Sequence, residues 1–445
     1  MLTKTRFDAS QIVMSNTDAG IFRIHRDAYR SPEVFALEKE KIFSKCWLYL
    51  GHDSELSKNN DYLTRRVGGR DLIFARGRDA KVGAFYNACT HRGTKVVRET
   101  SGNRKTFACD YHGWVFNTSG KLLSTSSEHG YKDDLNADGR LDLNRVARLE
   151  DYRGFYFVNY NPKAISLYDY LDGARVALDN LCDQTETRLV VLPGEHAYST
   201  RANYKFLVEN SYDGYHLPVV HASYLDFLRD RVAGNEAALK MVTETVTKFS
   251  QNGRARGLGN GHAILDSLVP TGRPVAQWNP VWGPEIKKEI EAKRSWMESK
   301  FGKERTDYIA DFQKNLVIFP NLVINDIQAA TIRVIEPESQ NYMKVIGWAI
   351  APEEESAALR RIRLDNFISF LGPAGYGSPD DIEMLELCQQ GIEHSPTEWT
   401  EMSKGYGSAP DARYAQGYPD DEVQIQAYWT QWDRVMRDID SLEVA

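Results

Sequence analysis

Two cysteines and two histidines, spaced as Cys89-x-His91, seventeen residues, then Cys109-x-x-His112, constrain this chain more than anything else in its 445 residues. Two thiolates and two imidazoles suit a [2Fe–2S] centre in which histidines replace cysteines on one iron. Neutral imidazole brings less negative charge than thiolate, so such a centre has a higher potential than an all-cysteine one. Gly93 and Gly113 follow the two ligand pairs, and glycine lets a loop bring its backbone close to the sulfides. Zinc also accepts two cysteines and two histidines, but zinc fingers pair like with like at a different spacing. From 62 to about 161 the sequence runs in short β-rich stretches, among them DYLTRRV, DLIFAR and GFYFVNY, punctuated by Gly and Asn. This predicts a small antiparallel β domain around the four ligands.

The chain is too long for one core, so a second domain is expected. SPEVFALEKEKIFSK (31–45) reads as a helix with Ser31 as N-cap and Pro32 at its first position. Beyond 195, strand-like LVIFPNLVIND and YMKVIGWAIA mix with helical patterns near 285–300, 304–314 and 379–391. That mixture lacks alternating βαβ units and predicts an α+β fold. A net charge of −7 excludes the general basic field of a nucleic-acid binder. No apolar run reaches membrane-spanning length and no secretory h-region is read, so a cytoplasmic protein is expected. Five cysteines do not form a disulfide framework, and Cys46, Cys182 and Cys388 read as inert core thiols. Two decoys fall away. DLNADG (134–139) imitates a calcium loop but reaches Arg145 at position twelve, where a bidentate Glu is needed. GLGNG (257–261) reads as a turn rather than a dinucleotide loop.

A second metal pattern lies in ENSYDGYHLPVVH (209–221). His216 and His221, five apart, would stand about 140° from one another on a continuous helix. Pro218 between them is expected to break that helix and let both rings turn inward. A mononuclear Fe(II) site needs two histidines and a carboxylate on one face, leaving positions open for dioxygen. The carboxylate must come from elsewhere, and GPAGYGSPDDIEMLE (372–386) offers Asp380 and Asp381 in a helix's first turn. Asp213, three residues before His216, is placed to orient that ring.

Taken together, CTHRG…CDYHGW, CWLYLGHDSEL, GFYFVNY, ENSYDGYHLPVVH and NLVIFPNLVIND resemble the large (alpha) subunit of Rieske non-haem iron aromatic-ring-hydroxylating dioxygenases over nearly the whole chain. Within that family they are most similar to p-cumate and polycyclic-aromatic dioxygenases and salicylate hydroxylases. The resemblance implies an N-terminal helical segment (1–40) packed on the catalytic domain, a Rieske domain (41–165) and a catalytic domain of helix-grip type (166–445). It implies a Rieske cluster on Cys89, His91, Cys109 and His112, and Fe(II) on His216, His221 and Asp381, with Asp380 the alternative. Asp213 would link His216 to His112 of a neighbouring subunit, and Asn210 would lie near the iron. Leu217, Leu371 and Tyr376 would line the substrate pocket. The implied partners are an aromatic substrate, O2, a reductase with or without a ferredoxin, and a small beta subunit in an alpha3beta3 hexamer. The implied reaction inserts both oxygen atoms into a ring to give a cis-dihydrodiol; a Rieske monooxygenase or demethylase is the alternative on the same scaffold. Arg201, Lys205 and Arg333 are the cations that a substrate carboxylate could meet.

Overall fold

The computed structural model describes all residues except 1–8, 128, 132–134, 249–252, 270, 440, 441, 444 and 445. Contacts divide the chain into two compact units. One comprises Phe43–Leu167 with the tail residues Leu442 and Glu443; the other comprises the chain up to Ile42 and Tyr168–Ser441.

The smaller unit is built from three antiparallel sheets. Val82–Tyr86, Arg70–Arg76, Asp61–Val67 and Ser101–Asn103 form the first, in that order. Leu122–Ser124, Val115–Asn117 and Thr106–Ala108 form the second, and Arg148–Tyr152, Phe155–Asn159 and Leu48–His52 the third. Tyr62, Ile73, Phe85, Phe107, Trp114 and Phe116 share one apolar core with Cys89 and Cys109. The loop that mimics a calcium site uses its polar groups internally: Asn136 accepts from the Leu141 N–H and donates to Asp142. Asp134, its first position, lies outside the described residues.

In the larger unit, six strands from Gly253–Gly257 to Tyr342–Pro352 run as an antiparallel meander. Gln416–Gly417 closes one edge, while Leu189–Val191 and His196–Thr200 both pair with the last strand at the other. GLGNG forms the hairpin turn between the first two meander strands. Gly259 there has φ +82°, and a Cβ on it would stand 1.9 Å from an Asp172 carboxylate oxygen, so only glycine fits. The helix expected over 304–314 stops at Asp311, because Phe312–Ile318 is taken into the sheet. The N-terminal segment is not helical throughout: Val13–Asn16 and Ile21–His25 pair with each other, and the latter with Trp399–Glu401. Ser31 does cap the next helix, accepting from the N–H groups of Glu33 and Val34, but that helix ends at Lys41 rather than 45. Cys46 and Cys182 are buried, whereas Cys388 is exposed on Ser378–His394 and is not a core thiol.

The N-terminal helix Pro32–Lys41 brings a charge into the core. Glu38 and Lys205 are both fully buried, 2.7 Å apart, and Trp432 also donates to Glu38. Next to them Glu209 accepts from Tyr29 and Trp429, and burial pushes its carboxyl up to about 8 against those donors. Removing one partner of a buried pair strands the other charge, which costs about 3–5 kcal/mol. Lys205→Met is therefore expected to lower the urea midpoint sharply, and adding Glu38→Leu to restore most of the loss.

Candidate active site

The two cysteine–histidine loops are built alike. The Cys89 N–H donates to the Thr94 carbonyl and the Gly93 N–H to the Cys89 carbonyl; Cys109, Trp114 and Gly113 repeat the pattern. Gly93 and Gly113 both sit at positive φ, 79° and 67°, which closes each turn. The loops meet: the His91 and His112 ring centroids are 4.5 Å apart, and Trp114 stacks on His91 at 4.8 Å. Cys89 and Cys109 are buried free thiols, and burial, with the facing Cys109 thiol, raises the pKa of Cys89. The Nδ1 atoms of His91 and His112 are buried without a hydrogen-bond partner. Buried imidazole nitrogens are seldom left unpaired. Two of them beside two free thiols fit a [2Fe–2S] cluster.

The second centre forms where the helix Tyr204–Asn210 ends and the chain turns twice. Asp213 closes one turn by accepting the Tyr215 N–H with one oxygen, and its other oxygen lies 2.9 Å from His216 Nδ1. The three-residue spacing is thus used through a turn rather than a helix. Pro218 does not break a helix between the histidines. It occupies the first turn of the short helix Leu217–Val220, where no N–H is required. The break falls at His221, whose backbone (φ −97°, ψ 26°) joins that helix to Ala222–Arg231.

His216 Nε2 and His221 Nε2 approach to 3.2 Å, and Asp381 Oδ1 lies 3.6 and 3.4 Å from them. Bonds of roughly 2.0–2.2 Å at right angles put ligand atoms about 3 Å apart, so this triad fits one metal ion. Asp380 instead accepts from Ser223, away from the histidines. Asn210 Nδ2 donates to Asp381 Oδ1 at 3.0 Å and lies 3.3 Å from His216 Nε2. Burial holds His221 below the ordinary histidine value despite Asp381, which favours the neutral, ligating ring. For His216, burial is outweighed by the hydrogen bond and charge of Asp213, and its value rises.

The triad opens into a cavity of about 120 Å³. Leu217 and Leu371 line it, as do Tyr224, Phe367 and Phe370, which the sequence reading missed. Tyr376 does not: it is 43% exposed and stacks on Phe227 at 4.4 Å. The turn after Leu371 carries Tyr376 outward, and Phe370, packed against His221 and Tyr224, takes the inner place. Of the three cations, Arg201 is exposed, Lys205 is consumed by Glu38, and Arg333 reaches the cavity wall.

Comparison with known proteins accords with both centres. Residues 46–133 match the Rieske [2Fe-2S] domain, and residues 183–438 match the ring hydroxylating alpha subunit (catalytic domain). The chain is similar to the 2-halobenzoate 1,2-dioxygenase large subunit of Burkholderia cepacia, at 34% identity over 90% of this chain and 84% of that one. It is 33% identical to the toluate 1,2-dioxygenase alpha subunit of Pseudomonas putida, over 86% and 81% of the two chains. Among solved structures, a naphthalene 1,2-dioxygenase with indole bound superposes with TM-score 0.82 at 26% identity, covering 97% of this chain and 95% of that one. The chain therefore belongs to the alpha (large) subunits of the Rieske ring-hydroxylating dioxygenases.

Proposed function

We propose that this chain adds both atoms of dioxygen to one face of an aromatic ring, giving a cis-dihydrodiol. The observation that carries this is the His216–His221–Asp381 triad opening directly into a cavity with leucine and aromatic walls. When bound, the cluster supplies one-electron reduction and the iron supplies activation of dioxygen. The chain's own residues do the rest. Asp213 accepts the His216 Nδ1–H, which fixes the tautomer and turns Nε2 toward the shared point. Asn210 holds the Asp381 carboxylate by its Oδ1. Leu217, Phe370 and Leu371 exclude water and hold the ring flat beside the triad, so that oxygen meets one face only.

Asp213 stays partly open, its side chain 21% exposed. The reading makes it the contact for His112 of a second copy, within an alpha3beta3 hexamer completed by a small beta subunit. Electrons come from NAD(P)H through a reductase, with or without a ferredoxin, in the cytoplasm. No described helix is long and apolar enough to cross a membrane.

With such a reductase, oxygen uptake is expected to depend on an added arene or aromatic acid and to match the loss of aromatic absorbance. Uptake that ignores every such compound would sink the reading.

A further inference from the structure

A second cavity of about 40 Å³ adjoins the triad cavity, and Leu228, Thr271, Gln328 and Asn366 line both. Elsewhere its wall is largely apolar, with Val232, Val242 and Trp282. Its rim carries Arg231 and Val281, both exposed. What separates the two spaces is a side chain. Asp326 pairs with Ala330, so Ile327, Gln328 and Ala329 form the tight turn between two meander strands. That turn is clamped from behind. The fully buried Arg273 donates to the carbonyls of Asp326 and Ile327 and to the Asp326 carboxylate, and Asn366 donates to the Gln328 carbonyl.

At the apex of the turn, the Gln328 amide reaches from the helix Ala222–Arg231 to the segment that follows the strand Ala263–Leu268. Its Oε1 accepts from the Tyr224 hydroxyl at 2.6 Å, and its Nε2 lies 3.5 Å from Thr271 Oγ1. An amide has an acceptor end and a donor end, and here each faces a hydroxyl. With the backbone pinned and both ends engaged, the side chain stands as a bar between the two cavities. Size gives the bar a consequence. A dry apolar cavity of about 150 Å³ takes one benzene, so the triad cavity, at about 120 Å³, has room for one ring. The smaller cavity is the apolar space into which a fused second ring would extend, and Gln328 stands across it.

Resting on the oxygenase reading, we infer that Gln328 is a specificity-determining residue. Its side chain, held by Tyr224 and Thr271, shuts the smaller cavity off from the substrate, and its removal joins the two spaces and admits a second fused ring.

The test is equilibrium dialysis of the purified protein, without reductant, against benzene and against naphthalene. Apolar transfer alone favours the larger hydrocarbon. The wild-type chain is nevertheless expected to bind naphthalene no more tightly than benzene. In Gln328→Ala the ratio should move toward naphthalene by at least about tenfold, well within what burial of a second ring supplies. Tyr224→Phe keeps its ring against Phe227 and Phe370 and loses the hydrogen bond to Gln328, so it should move the ratio the same way by less. Iron content near wild type shows that a variant is folded; should Gln328→Ala fail that check, Tyr224→Phe decides alone. A wild-type chain that already prefers naphthalene as strongly as Gln328→Ala does, or a ratio that neither variant moves, would overturn the inference. Diol formation from benzene with an unmoved ratio would overturn it and leave the oxygenase reading standing. A moved ratio without diol from any arene would do the reverse.

Discussion

Asp381→Ala is expected to lose the mononuclear iron, to keep the Rieske cluster, and to lower turnover by at least about a hundredfold. That figure is the upper end of what loss of a mere hydrogen-bonding partner of a ligand costs, and the role proposed for Asp381 is that of a ligand itself. Two imidazoles without a carboxylate leave the site one anion short, and Asn210 loses the oxygen to which it donates. The check is metal analysis beside activity: one iron per chain lost, acid-labile sulfide and the visible spectrum unchanged. Asp380→Ala is the control. Its carboxylate serves Ser223 on the exposed side, so iron content and turnover should stay near wild type.

Asp213→Asn is expected to cost roughly 10–100-fold in activity, the range measured for partners that orient a ligand histidine. The amide oxygen can still accept from His216 Nδ1, so the ring is held, but the negative charge that strengthens His216 as a donor is gone. If Asp213 did nothing more, excess Fe(II) would restore turnover. Because the proposed role also includes contact with a second copy, the defect is expected to persist at full iron occupancy. Full recovery with added iron would confine Asp213 to orienting the ring.

The meeting of the two Cys–His loops was legible because local spacing alone brings each Cys–His pair into one loop, and the structure needs only matching turns to join them. The convergence of His216 and His221 was legible, but not its cause: the bend is at His221, not at Pro218. Two acidic residues in a helix's first turn look alike in sequence. The distinction lay in periodicity. Ser378, Asp381, Leu385, Gln389 and Ile392 form the buried stripe of their helix, so Asp381 faces inward. Exposed Met384 and Leu387 on the same helix blur that stripe when only hydrophobicity is read. Gln313 and Asn315, which line the cavity, were hidden for a related reason. In Phe312–Ile318, Gln313 and Asn315 flank Lys314, so both faces of the strand look polar and neither is marked as inner. Tyr376 was misplaced because sequence proximity to Leu371 says nothing of which way the intervening turn leads.

Dioxygenation is tested most directly by turnover under 18O-labelled dioxygen with a reductase and whichever arene or aromatic acid supports oxygen uptake, followed by mass spectrometry of the product. The expected product is a cis-diol carrying two labelled oxygens. A product with one labelled hydroxyl, or with oxygen drawn from water, would contradict it.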